Sequence, residues 1–224
     1  ITVMRETPAG VAQWRPARAL PERETRLLTE AEGKELLAGA GVTVPGSVTG
    51  VTIVEVAGKV RFSAPYVLKG LGFAHKTESG AVRLGVMSLD GQADMPGATG
   101  YLVEEMVTGA VAEVLLGLRR DPVYGVTLTL GMGGVTAEVL ADTVTLVLPV
   151  TEAQVLEAAK GLRLWPLLDG YRGRPRADMG AVADIALRLQ ALMLGDDSLE
   201  EIEINPIMVR ETGAVAVDAL VRRA

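Results

Sequence analysis

From Val51 to about Val150 the chain falls into short β-rich runs, 51–56, 65–69, 81–87, 101–106, 111–118, 126–131 and 143–149, divided by glycine, proline and aspartate. That punctuation reads as strands joined by turns. Helical patterns flank it. Thr29-Glu30-Ala31-Glu32 is a capping box, which predicts a helix over 30–40 that Gly41 ends in a left-handed cap. Two further helices are expected at 151–160 and 178–194. Residues 199–220 then read as a hairpin, with Ile202 and Ile204 alternating against Glu201, Glu203 and Asn205. The mixture predicts an α/β or α+β fold.

Composition removes several classes of function. The chain has 224 residues, enough for one domain or two associated lobes, and 22 lysines and arginines against 28 acids give a net charge of −6. A nucleic-acid binder working through a broad cationic surface is not expected. Cysteine is absent and histidine occurs once, which excludes disulfides, thiolate nucleophiles, Cys-ligated zinc and multi-histidine metal sites. No apolar run approaches the ~18 residues of a membrane span, so a soluble, cytoplasmic protein is expected. The start Ile1-Thr2-Val3-Met4-Arg5 has neither a signal-peptide pattern nor an initiator methionine. Residues 1–27, with Pro8, Pro16 and Pro21, read as a linker or N-terminal extension.

Five sequence features carry the chemistry. If Glu211-Thr212 is a two-residue hairpin loop, Asn205 falls directly opposite Asp218, and the pair supplies oxygen ligands of the kind magnesium takes alongside phosphates and water. Lys69 ends the apolar run 65–68, where its ammonium would meet a phosphate as a point charge. His75, the lone imidazole, sits near Gly70, Gly72 and Gly80 and offers a nitrogen lone pair to phosphorus. Gly131, Gly133 and Gly134 form a glycine-rich turn whose amides can approach an anion, although no Gly-Lys-Ser or Gly-Lys-Thr follows to make a P-loop. Tyr101-Leu102-Val103-Glu104-Glu105-Met106 has the pattern of a buried strand ending in polar groups, where a flat ring would fit. Taken singly, each has a plainer reading: a wetted hairpin, a surface lysine, a loop histidine, a turn, a core strand.

Taken in order, these segments resemble one family. Leu28-Thr29-Glu30-Ala31-Glu32 with Gly41-Val42, Pro65-Tyr66-Val67-Leu68-Lys69, His75-Lys76-Thr77-Glu78-Ser79-Gly80, Glu104-Glu105-Met106, Gly131-Met132-Gly133-Gly134, Gly170-Tyr171-Arg172-Gly173 and Glu203-Ile204-Asn205-Pro206 are similar to the ATP-grasp domain of the NDP-forming acyl-CoA synthetases, relatives of succinyl-CoA synthetase β subunits. The resemblance covers roughly residues 28–220. It implies an ATP-grasp fold of two lobes with the nucleotide between their sheets, here divided as 28–100 and 101–224. It implies ATP/ADP and Mg2+ as cofactors, with Lys69 on the phosphates, Glu104, Glu105 and Met106 beside adenine, and Asn205 and Asp218 on magnesium with Glu203 adjacent. His75 matches the histidine that carries phosphate between the nucleotide and a distant ligase site. CoA-binding and ligase domains, or an α subunit bearing them, are the expected partners in an oligomeric assembly. The alternative from another class is a noncatalytic nucleotide-sensing or assembly module.

Overall fold

The structure, a computed structural model, describes residues 24–73, 80–134 and 140–224. Contacts divide the chain into two compact units, one within Ile1–Thr43 and Gly109–Ala224 and the other Val44–Thr108. Each has its own sheet, and all strand pairs among the described residues are antiparallel, so the fold is α+β.

In the larger unit the strands run β1 (Arg26–Leu27), β11 (Leu220–Arg223), β9 (Leu199–Val209), β6 (Ala112–Asp121), β7 (Gly125–Met132) and β8 (Thr143–Val147), with β10 (Ala214–Ala216) pairing to β9 off that path. Period-two burial follows from the pleat: Val114, Leu116 and Leu118 of β6 and Leu128 and Leu130 of β7 are fully or almost fully buried. Helix α5 (Met179–Gly195) packs on β9, β6 and β7 through Val182, Ala183, Ala186, Leu189 and Met193, a stripe at helical spacing. Helix α3 (Glu152–Lys160) packs beside it, started by a capping box of Thr151 and Gln154. The short α4 (Trp165–Leu168) precedes a single 3-10 turn at Tyr171–Gly173.

Helix α1 (Glu30–Gly39) starts and stops as its sequence predicts. The Glu32 carboxylate accepts from the Thr29 N–H at 2.7 Å while the Thr29 hydroxyl accepts from the Glu32 N–H at 3.3 Å. Gly41, at φ +83°, donates to the Ala38 carbonyl and Val42 to that of Leu37, a complete Schellman cap closed by buried Leu37 and Val42.

The smaller unit orders its strands β2 (Ser47–Gly50), β5 (Gly100–Glu105), β3 (Tyr66–Leu71) and β4 (Val82–Val86). Its core is formed by Ile53, Val56, Leu68, Val86, Met95, Tyr101 and Val103. Two expectations are corrected here. Residues 51–56, rich in β-branched side chains, are not a strand; Ile53–Lys59 is helix α2, capped by Thr52, whose hydroxyl accepts from the Glu55 N–H at 3.1 Å. The units also do not meet at 100/101. β5 is an inner strand of the smaller sheet, and residues 26–39 belong with the larger unit because β1 pairs with β11 and α1 packs on it.

Candidate functional site

The C-terminal hairpin is the scaffold of the larger unit's polar cluster. Arg210 donates to the Gly213 carbonyl at 3.0 Å, closing a turn over Glu211 and Thr212. Val209 then pairs with Ala214, Met208 with Val215 and Ile207 with Ala216. Beyond a gap in the ladder at 217–219 the same register resumes, with Glu203 opposite Leu220 and Ile202 opposite Val221. Val217 donates to the Pro206 carbonyl at 3.2 Å inside that gap. Asp218 therefore lies across from Asn205, as the two-residue loop predicts.

A bulge sharpens the placement. Along β9 the buried residues are Leu199, then Ile202 and Ile204, then Ile207 and Val209, so the period slips near Glu200-Glu201 and, at the level of the cluster, at Asn205-Pro206. The pairing with β6 shifts at the same level, between Val114 and Leu116. A bulge of this kind turns side chains away from the regular pleat beside a site.

Three oxygen-bearing side chains gather there. The Asn205 Oδ1 accepts from the Gly134 N–H at 2.9 Å, and an Asp218 Oδ1 accepts from the Ala219 N–H at 2.9 Å. Burial, then the charges of Glu201 and Asp218, push the Glu203 carboxyl above its ordinary value. An amide oxygen has a second lone pair for a cation, and crowded carboxylates are stabilised by one. Among the described residues no cluster of three His, Cys, Asp or Glu side chains is poised to hold a metal. One Asn and one Asp beside phosphates and water still suffice for magnesium, and the donor set fits that ion.

The glycine turn has a different part from the one its sequence suggests. A Cβ on Gly131 would lie 2.6 Å from the Thr143 Cγ2, one on Gly133 2.6 Å from the Val114 carbonyl carbon, and one on Gly134, at φ +67°, 1.6 Å from the Glu113 Oε2. Close approach to backbone requires glycine at 131 and 133, and the left-handed φ favours it at 134. The amides of Met132, Gly133 and Gly134 are spent on the carbonyls of Asp142 and Glu113 and on Asn205. The described part of the turn orients Asn205; residues 135–139 lie outside the described residues.

In the smaller unit, Val67 pairs with Glu104 and Lys69 with Leu102 across β3 and β5, so Lys69 and Glu104 are diagonal neighbours on one face. The Lys69 Nζ is 2.8 Å from the Glu104 Oε2, with side chains 9% and 2% exposed. Lys69 is thus inside β3 rather than at its end, and Glu104 is its counter-ion. Glu105 is exposed and Met106 half-buried, and their amides donate to the carbonyls of Gly46 and Pro65. His75 lies outside the described residues.

Sequence reasoning missed one feature. The Glu30–Lys34 pair of α1, 2.8 Å apart, is buried, and the Lys34 Nζ also donates to the Val217 carbonyl at 2.8 Å. Its i,i+4 spacing is that of an ordinary surface pair; the signal available was the absence of any other reason for α1 to hold a lysine on the same face as Leu37.

Residues 18–222 match the family described as the ATP-grasp domain. The chain belongs to the ATP-grasp family. Its ATP-grasp fold is shared with a solved dinucleotide forming acetyl-coenzyme A synthetase 1 of Ca. Korarchaeum cryptofilum, in complex with coenzyme A and Ca-AMPCP, at a TM-score of 0.78 and 26% identity over 88% of this chain and 93% of that one. A second structure of that synthetase, with coenzyme A and Mg-AMPPCP and its phosphohistidine segment pointing towards the nucleotide binding site, has a TM-score of 0.77 at 26% identity, again over 88% of this chain and 93% of that one. Among curated relatives, the β subunit of acetate–CoA ligase [ADP-forming] I of Pyrococcus furiosus is 29% identical over 88% of this chain and 91% of its own length. Acetate–CoA ligase [ADP-forming] II of Archaeoglobus fulgidus is 32% identical over 86% of this chain, but the match spans only 30% of that longer protein. This ATP-grasp chain therefore corresponds to nearly all of one β subunit and to under a third of the longer ligase.

Proposed function

We propose that this chain is the nucleotide-handling part of an ADP-forming acyl-CoA synthetase, moving phosphate between ATP/ADP and His75 while partner domains or an α subunit interconvert acyl-CoA and free acid. The observation that carries this reading is the near end-to-end match to an ADP-forming β subunit. The polar cluster adds chemical sense.

In this reading Asn205 and Asp218 hold Mg2+, with Glu203 beside them, and the ion supplies neutralisation of charge on the phosphates. Lys69 orients those phosphates as a point charge, while Glu104 fixes the direction of its ammonium. Glu104, Glu105 and Met106 form the segment beside adenine, and because the Glu105 and Met106 amides are already bonded, those N–H groups are not what meets the ring. The His75 imidazole attacks the γ-phosphorus of ATP; an N–P bond forms, the bond to the β-phosphate oxygen breaks, and ADP leaves. Run backwards, the step makes ATP. The acyl group is recognised by the partner domains, and the assembly is oligomeric.

The test is incubation with Mg-ATP labelled at the γ-phosphate, comparing the parent with His75→Ala. Acid-labile, protein-bound label on the parent alone is expected. Nucleotide binding without label in the complete assembly overturns the reading and favours a noncatalytic module.

A further inference from the structure

Helix α1 reaches the hairpin where its ladder is interrupted at 217–219. Residues 217–219 between β10 and β11 belong to no strand. The Val217 N–H is bound to the Pro206 carbonyl, and the Val217 carbonyl accepts from the Lys34 Nζ at 2.8 Å. Both polar groups flanking Val217 are therefore tied, one by the partner strand and one by a helix. The next residue is Asp218.

Lys34 makes that bond from the interior. Its side chain is 3% exposed, and its counter-ion Glu30, whose side chain is fully buried, lies one helical turn earlier at 2.8 Å. The helix comes close because residue 33 is glycine: a Cβ there would lie 3.3 Å from the Val221 Cγ2 and 3.5 Å from the Ala219 Cβ. A buried ion pair is weak evidence for stability, since apolar residues of similar volume often do as well. What apolar residues cannot supply is a donor for the Val217 carbonyl. The pair is placed where a ladder bond is missing and where the backbone must present a carboxylate toward Asn205.

We propose that Lys34, held by Glu30, is a positioning residue that fixes the 217–219 segment and so the Asp218 carboxylate opposite Asn205. It acts through the Val217 carbonyl and not on the nucleotide. The metal part of this inference rests on the assignment of Asp218 under the proposed function; the backbone part does not.

The experiment uses the full-length protein with its partner domains or subunit, Mn2+ as the probe ion with ADP, and hydrogen exchange as a second readout. Lys34→Met alone leaves Glu30 buried without its partner, so the decisive variant is the double Glu30→Leu/Lys34→Met, which fills the same space with apolar atoms. In that variant, amides 217–219 of the metal-free protein exchange at least tenfold faster. Mn2+ affinity in the presence of ADP, read from the electron paramagnetic resonance of free Mn2+, falls about 10-fold, the scale of losses from outer-shell partners of metal ligands. Affinity for ADP without metal is unchanged. A folded double variant with parental exchange at 217–219 and parental Mn2+ affinity overturns the proposal, as does an equal loss of ADP affinity with and without metal. Asp218→Ala separates the two readings: if it keeps parental Mn2+ affinity the metal assignment fails, and exchange at 217–219 alone then decides whether Lys34 holds the segment.

Discussion

Glu203 sits on the strand that carries Asn205, with Asp218 and Glu201 as charged neighbours, and its carboxyl is harder to ionise than an ordinary glutamate. A raised acid in the folded state contributes stability below its unfolded value of 4.5 and loses it as pH rises through the higher folded value. At neutral pH the ionised side chain therefore works against the fold, and Glu203→Gln is expected to raise the metal-free melting temperature by about 1–3 °C. The same substitution should shrink the stabilisation that Mg2+ with ADP confers, because less negative charge remains to be offset. Thermal unfolding of both proteins with and without the ion measures both effects; a lower metal-free melting temperature for the variant rejects this account. Some of this residue-level picture was legible in the sequence. The Asn205–Asp218 juxtaposition followed from strand alternation and a two-residue loop, both local. The Lys69–Glu104 pair did not, because it depends on which strands are neighbours and on a diagonal register. Lys34 was hidden for a similar reason: burial of an i,i+4 pair is decided by what packs over the helix.

The elements around the cluster are joined by close backbone approach more than by side-chain bulk. Gly133 faces the Val114 backbone at a level where β6 changes register with β9, and its amide donates to the Glu113 carbonyl. Gly133→Ala must move one chain or the other, so a loss of about 1–3 kcal/mol is expected in denaturant unfolding, the range for overpacked interiors. The displaced turn takes with it the Gly134 amide that holds Asn205, and weaker Mn2+ binding in the presence of ADP should accompany the lost stability. Unchanged stability would show that the turn relaxes freely. Signals at this scale were read unevenly. The capping box and glycine cap announced α1 because those bonds form within a few residues, whereas α3 was expected from its helical pattern alone. Helix α2 carries the same kind of signal at Thr52 and Glu55, but Val51, Ile53, Val54 and Val56 pull the reading toward a strand. The cap and the burial of Ile53 and Val56 outweigh that preference.

The two compact units differ in how the chain builds them. Val44–Thr108 is continuous and has its own sheet and core, whereas the larger unit is assembled from segments on either side of it. Replacing 44–108 with a flexible linker is expected to leave the larger unit folded, with protected amides in β6, β7 and β9. If Lys69 orients the phosphates as proposed, ATP binding is lost as well, because Lys69 and its Glu104 counter-ion leave with the excised unit. Circular dichroism, hydrogen exchange and calorimetry on the excised protein check the pair of outcomes, and retained ATP affinity would remove the smaller unit from the nucleotide site. The order of motifs along the sequence identified the family, but the boundary at 43/44 was not readable, since nothing in residues 24–43 reveals that their partners lie at the other end of the chain.

That pairing has a consequence for how the protein is made. β1 at Arg26–Leu27 is hydrogen-bonded to β11 at Arg222 and Arg223, so one strand of the larger sheet waits for a partner made about 200 residues later. The smaller unit has every strand it needs once Glu105 has emerged and is free to fold while synthesis continues. A nascent chain arrested before Leu220 would lack β11, leaving β1 and one edge of β9 exposed, and with them the frame that holds Asp218. The larger sheet is thus a seal on its own synthesis: only a chain read through Arg223 completes the frame around the carboxylate opposite Asn205.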